Sequence, residues 1–146
     1  QAANAAMKAL IGYDGTRDGM RGLLEALIVD PSRITDDLID GRQSTVVRPG
    51  VWASFRRMAD AIDRVRNDPV LSLQTDWRVM LPALTPRIPT MILWGKQDPF
   101  ALPESGRALA ELLPDARMEW IDGAGHQGQT DQPQRAAEII RDSLGD

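Results

Sequence analysis

The sequence predicts an α/β chain: a helical region over residues 1–86, then two parallel strands with their helices over residues 87–146. Three observations predict it. "MRGLLEALI" places Met20, Leu23, Leu24, Leu27 and Ile28 on one face of a helix. "TMILWG" (90–95) is a short unbroken apolar run between Pro89 and a closing glycine, the pattern of a strand buried on both faces. "RMEWID" (117–122) follows one helix later and alternates as a second strand does.

Each element has its own signals. Thr16 is placed to cap the helix that carries Met20, and "DPS" (30–32) stops it, because proline disfavours helix in the residue before it. Thr35 caps the next helix, with Asp36 and Asp37 at the positive end of its dipole and Leu38 and Ile39 as its apolar contacts. "RPG" (48–50) breaks the chain again. Val51, Phe55, Met58, Ala59, Ile62 and Val65 then mark a third amphipathic helix, ended by "NDP" (67–69). A less regular stretch with Trp77 and Met80 leads to "LTPRIP". After the first strand, Pro103 suits the opening turn of a helix over 103–115, with Ala108, Leu109, Leu112 and Leu113 inward. The last helix, 132–144, turns Ala136, Ile139, Ile140 and Leu144 inward. Right-handed crossovers make the two strands parallel.

Two strands are too few for an independently stable sheet, and a parallel pair buried on both faces needs neighbours. The chain is therefore expected to be part of a larger domain, unstable alone, with one edge of "TMILWG" unpaired or paired with strands from outside this sequence. Its first residue, Gln1, fits a trimmed or cleaved chain.

Composition excludes several classes of function. The 146 residues carry a net charge of −4, with 42% hydrophobic and 26% charged residues. An acidic balance argues against a general nucleic-acid binder, which needs a basic face to displace counterions. There is no cysteine and one histidine. Thiolate catalysis, disulfides and Cys- or His-rich metal sites are excluded. The absence of cysteine fits a reducing cytoplasm. No apolar run approaches the roughly 20 residues of a membrane span, and the N-terminus lacks the pattern of a signal peptide.

Chemistry concentrates at two points. In open α/β sheets, functional groups gather at the carboxyl ends of strands. "KQDPF" puts Asp98 just after the first strand, and "GAGHQ" puts His126 just after the second. Parallel neighbours bring both tips to one edge, where an aspartate accepts the imidazole N–H and fixes its tautomer. Taken singly, "QDP" is an ordinary turn and a histidine among glycines is an ordinary loop residue. Their order and placement are what join them.

The run "IPTMILWGKQDPF…LPESGRALAELLPDARMEWIDGAGHQGQTDQPQRAAEIIRDSL" (88–144) resembles the C-terminal segment of the α/β-hydrolase superfamily. By that resemblance W-G-x-x-D supplies the acid of a catalytic triad, Asp98, and G-x-G-H supplies its base, His126. Residues 1–86 then correspond to the helical cap and 87–146 to the C-terminal part of the core. Within the cap, "LIVDPSRITDDLIDGRQSTVVRPG" resembles the meta-cleavage product hydrolases, which hydrolyse C–C bonds in the degradation of aromatic compounds. Their D-x-S-x-I-T-x-x-L-x-x-x-R run implies that Arg42 binds substrate. A guanidinium holds a carboxylate with two bonds, although a helix arginine can also simply face solvent. Those enzymes usually carry Trp directly after the histidine, at a position that lines the pocket; here it is Gln127.

No G-x-S-x-G nucleophile elbow occurs in the sequence. In the family's chain order the nucleophile precedes the cap. The nucleophile, the oxyanion-hole amides and most of the sheet are thus expected in an N-terminal segment ahead of Gln1, without which the chain is inactive. The resemblance implies a serine-type hydrolase of a small, partly apolar substrate, with a 2-hydroxy-6-oxo-dienoate C–C bond as the leading choice and no cofactor or metal needed, since a histidine and an oxyanion hole suffice for this chemistry. A carboxylesterase, an epoxide or haloalkane hydrolase of the same fold, and a non-catalytic binding protein or subunit are the alternatives. A homo-oligomer is left open.

Overall fold

The computed structural model describes residues 2–74, 76–83 and 88–145. The junction expected at 86/87 and most of "LTPRIP" lie outside these residues, as do the side chains of Trp77 and Met80.

The first part is helical. Helices α1 (Ala2–Ile11), α2 (Arg17–Glu25), α3 (Asp36–Val46) and α4 (Pro49–Asn67) are followed by the short α5 (Pro69–Gln74) and α6 (Trp77–Met80). Helix α1 lies within the helical region expected over residues 1–86. The caps form as expected: the Thr16 hydroxyl accepts the Gly19 N–H and the Thr35 hydroxyl accepts the Leu38 N–H. The "DPS" break is a single 3-10 turn, Pro31–Arg33, whose Asp30 carboxylate accepts the Ser32 N–H at 2.9 Å. Pro49 begins α4 rather than merely ending α3, since its missing N–H is no loss in a first turn.

Tyr13, Met20, Leu23, Leu24, Leu27, Ile28 and Ile39 form the buried core of this part. Helix α2 stops at Glu25, so Leu27 and Ile28 lie just beyond it, yet both stay buried. Their side chains join the same buried cluster as Leu23 and Leu24. Trp52 and Phe55 on α4 stack with centroids 5.7 Å apart, and Tyr13 meets both rings edge-on. Burial and the neighbouring Asp14 charge raise the Tyr13 hydroxyl above its ordinary pKa. On the surface, Arg17 bridges Asp36 and Asp40 of α3.

The second part runs β1 (Met91–Gly95), α7 (Pro103–Leu112), β2 (Arg117–Ile121), α8 (Gly128–Asp131) and α9 (Pro133–Leu144). The strands are parallel, in register from Met91 opposite Arg117 to Gly95 opposite Ile121. Among the described residues they are the whole sheet, so the far edge of β1 has no strand beside it. Ile121, Ala124, Ala136 and Ile139 make the second buried cluster, with Met91 and Leu93 packed on it.

Three helix faces differ from expectation: on α4, Ala59 is buried but Val51 and Met58 of the expected apolar stripe are exposed. Ala108 is exposed, and α7 instead turns Gly106 inward, where the rings of Trp94 and Trp120 leave no room for a Cβ. On α9, Ala136 and Ile139 are buried but Ile140 and Leu144 are exposed. A two-stranded sheet is narrower than the apolar stripe of the helix that lies on it. Among the described residues no helix is long and apolar enough to cross a membrane.

Candidate active site

The parallel register brings Gly95 and Ile121 side by side, so the loops that leave both strands start at one edge. Backbone bonds then tie the loops together. The Lys96 N–H donates to Ile121 O at 2.9 Å and the Gln97 N–H donates to Ala124 O at 3.0 Å. The Gln97 side chain completes the lacing, donating to Asp122 and accepting the Ala124 N–H.

This lacing places Asp98 beside His126. Asp98 Oδ2 lies 3.0 Å from His126 Nδ1. Oδ1 accepts the N–H groups of Phe100 and Ala101 at 2.8 and 2.9 Å. Each carboxylate oxygen thus has its own partners, which fixes the rotation of the side chain. Asp98 is 5% exposed, whereas the His126 side chain is 38% exposed. A carboxylate can only accept, so Nδ1 carries the proton of the neutral ring and Nε2 keeps its lone pair. The Phe100 ring lies 4.4 Å from the imidazole, centroid to centroid, and limits its tilt. His126, Asp98, Leu93, Ile121, Ala136 and Ile140 are among the walls of an open cleft of about 390 Å³.

The histidine loop also touches the helical part. The His126 N–H donates to Leu27 O at 2.9 Å, crossing between the two parts of the chain. Gly125 makes this approach possible, since a Cβ there would sit 2.7 Å from the same carbonyl oxygen. Gly123 takes a φ of 69°, a left-handed turn that glycine adopts without the strain of a Cβ.

Arg42 and Gln127 meet each other rather than His126. The Arg42 guanidinium donates to Gln127 Oε1 at 3.3 Å. Both line a second, mostly apolar cavity of about 280 Å³ with Tyr13, Leu23, Leu24 and Phe55. Adjacent residues of one loop thus face two spaces: His126 the cleft at the sheet edge, Gln127 the cavity within the helices. The Tyr13 hydroxyl is buried on this second cavity without a hydrogen-bond partner among the described residues. Among the described residues, no group of three His, Asp or Glu side chains could hold a metal ion.

Sequence reading missed Asp131. It is fully buried, and its carboxylate accepts the Gly125, Val29 and Asp30 N–H groups. Nothing in "QTDQP" signals partners a hundred residues earlier in the chain.

Comparison with known proteins bears on the fold and the family. The α/β-hydrolase fold family model matches residues 39–133, more than half of the chain. The chain is 25% identical to a 2-hydroxymuconate semialdehyde hydrolase of Pseudomonas putida over 142 residues, 97% of this chain and 48% of that protein. It is 29% identical to a 2-hydroxy-6-oxo-6-phenylhexa-2,4-dienoate hydrolase of Delftia acidovorans over 119 residues, 77% of this chain and 36% of that one. A solved meta-cleavage product hydrolase (CumD) superposes with a TM-score of 0.74 at 25% identity, covering 95% of this chain and 49% of that one. The chain spans less than half the length of each of these relatives. It belongs to the α/β-hydrolase fold family, and within it resembles the meta-cleavage product hydrolases.

Proposed function

We propose that this chain is the cap and C-terminal part of a serine-type hydrolase that cleaves a C–C bond in a 2-hydroxy-6-oxo-dienoate. The observation that carries the reading is the 3.0 Å contact between His126 Nδ1 and a buried, doubly anchored Asp98 at the tips of adjacent parallel strands. In this reading His126 is the general base. Its Nε2 takes the proton of the attacking hydroxyl, and Asp98 orients the ring and stabilises the imidazolium. The hydroxyl, the oxyanion-binding amides and the rest of the sheet come from polypeptide outside these residues.

The helical part acts as the lid. Arg42 supports an acidic substrate: its present partner, Gln127, is neutral, so its charge is not cancelled by that contact. The apolar walls of the 280 Å³ cavity suit the hydrocarbon portion. Hydrolysis breaks the bond between the 6-oxo carbon and its dienol neighbour. Water supplies the hydroxyl of the new carboxylic acid and the proton taken up by the dienoate fragment. The names of the relatives support this substrate class.

The test is turnover of a 2-hydroxy-6-oxo-dienoate by the complete protein, following both products, beside a 4-nitrophenyl ester. Cleavage of the dienoate lost in His126→Ala supports the reading. Equal slow turnover by wild type and variant refutes it.

A further inference from the structure

We propose that Asp131 is a positioning residue, which sets the backbone of His126 and couples it to the helical part. This rests on the reading of His126 as the base. Asp131 is 0% exposed, and no step assigned above uses it. Its Oδ2 accepts the Gly125 N–H at 2.8 Å. Its Oδ1 accepts the N–H groups of Val29 and Asp30, both at 2.9 Å. Those two residues follow the Leu27 carbonyl that takes the His126 N–H. The amide of His126 and the amide before it are therefore both fixed, one by the helical part directly and one through Asp131.

The chemistry of the site calls for a carboxylate. Three N–H donors converge on it, and only a group that accepts at both ends satisfies them all. An amide of the same shape would turn an NH2 toward a backbone N–H on one side. A burial cost of this size at one carboxylate is offset only while all three bonds are made. Asp131 is itself carried on the turn that starts at the histidine loop, with its N–H donating to Gln127 O at 3.0 Å. The clamp thus closes a ring: histidine loop, α8, Asp131, segment 27–30, and back to His126. A shift of the helical part relative to the strands would be felt at the imidazole through this ring. Such a shift would also strain the Asp98 contact.

The experiment is Asp131→Asn in the complete protein, read by steady-state kinetics, thermal melting and the proton NMR signal of the His126 Nδ1–H. Positioning predicts that kcat falls by about 100-fold while KM changes by less than about threefold, as for a small misplacement of a reacting group. It also predicts that the Nδ1–H signal moves or broadens at temperatures where the variant is folded. A lower melting temperature with kcat and the signal unchanged would mean a purely structural staple and overturn the proposal. If the variant does not fold, hydrogen exchange in the wild type decides. The Gly125, Val29 and Asp30 amides should exchange together at one slow rate, and independent fast exchange of Gly125 overturns the clamp. If the wild type turns over no substrate, the functional reading fails. The NMR signal of the variant then still decides whether Asp131 positions the ring.

Discussion

Asp98 Oδ2 and His126 Nδ1 lie 3.0 Å apart, and the other oxygen of Asp98 is held by two backbone amides. The carboxylate therefore cannot rotate away from the ring without giving up bonds to Phe100 and Ala101. In Asp98→Asn the side-chain oxygen can keep those two amides, but the NH2 then faces Nδ1 and favours the wrong tautomer. The expected outcome is a loss in kcat of about 10³- to 10⁴-fold with the fold retained. Steady-state kinetics beside circular dichroism check it.

Arg42 and Gln127 share a hydrogen bond on the wall of the inner cavity. If Arg42 holds the substrate carboxylate, Arg42→Gln raises KM for a dienoate by about 10- to 100-fold, equivalent to about 1.4–3 kcal/mol. KM for a neutral ester should change little. Kinetics on the two substrates in parallel separate a charge effect from a general disturbance of the cavity.

Tyr13 buries a hydroxyl with no partner among the described residues. Such a group costs stability that its ring packing against Trp52 and Phe55 offsets. Tyr13→Phe keeps the ring and removes the orphan, so stability is expected to rise by up to about 1 kcal/mol. Chemical denaturation of the complete protein measures it.

Gly125 lies against the Leu27 carbonyl, and a Cβ there would stand 2.7 Å from that backbone oxygen. Backbone cannot yield as a side-chain tip can. Gly125→Ala is expected to cost about 1–3 kcal/mol, in the range of overpacked sites. The same denaturation experiment gives the value, and a loss of activity larger than the loss of folded protein would place the damage at the histidine loop.

Acid should weaken the fold at its hydrogen-bonded surface carboxyls, Asp122 after the second strand among them. The Asp36 carboxyl is held below its ordinary value of 3.8 by its hydrogen bond from Arg17, and Asp30 and Asp14 by the hydroxyls of Ser32 and Thr16. A carboxyl lowered in the folded state binds its proton less readily there than in the unfolded chain. Its contribution is whole above the unfolded value and is lost as pH falls through the folded one. The melting temperature is expected to hold above about pH 4 and to fall below it, with a shallower fall in Asp30→Asn. Screening at these exposed sites keeps each effect small.

Much of this was legible in the sequence because it rests on local chemistry. Thr16 and Thr35 are capping residues wherever a helix follows them, and "TMILWG" has few uses other than a buried strand. The order of Asp98 and His126 after two successive strands carried the site itself. What stayed hidden depends on distant partners. Asp131 reads as a loop residue until segment 27–30 is brought to it. Ile140 and Leu144 fit an inward stripe by periodicity, but a sheet two strands wide does not reach them. The bond between Arg42 and Gln127 joins positions 85 residues apart, which no spacing rule connects.

A double-mutant cycle in the complete protein bears most directly on the pairing of Asp98 with His126. It requires kcat/KM for wild type, Asp98→Asn, His126→Ala and the double variant on one dienoate substrate. If the two residues act as one acid–base unit, the double variant is no slower than His126→Ala alone, because the aspartate works only through the ring. Losses that multiply, or a His126→Ala variant as active as wild type, would contradict it.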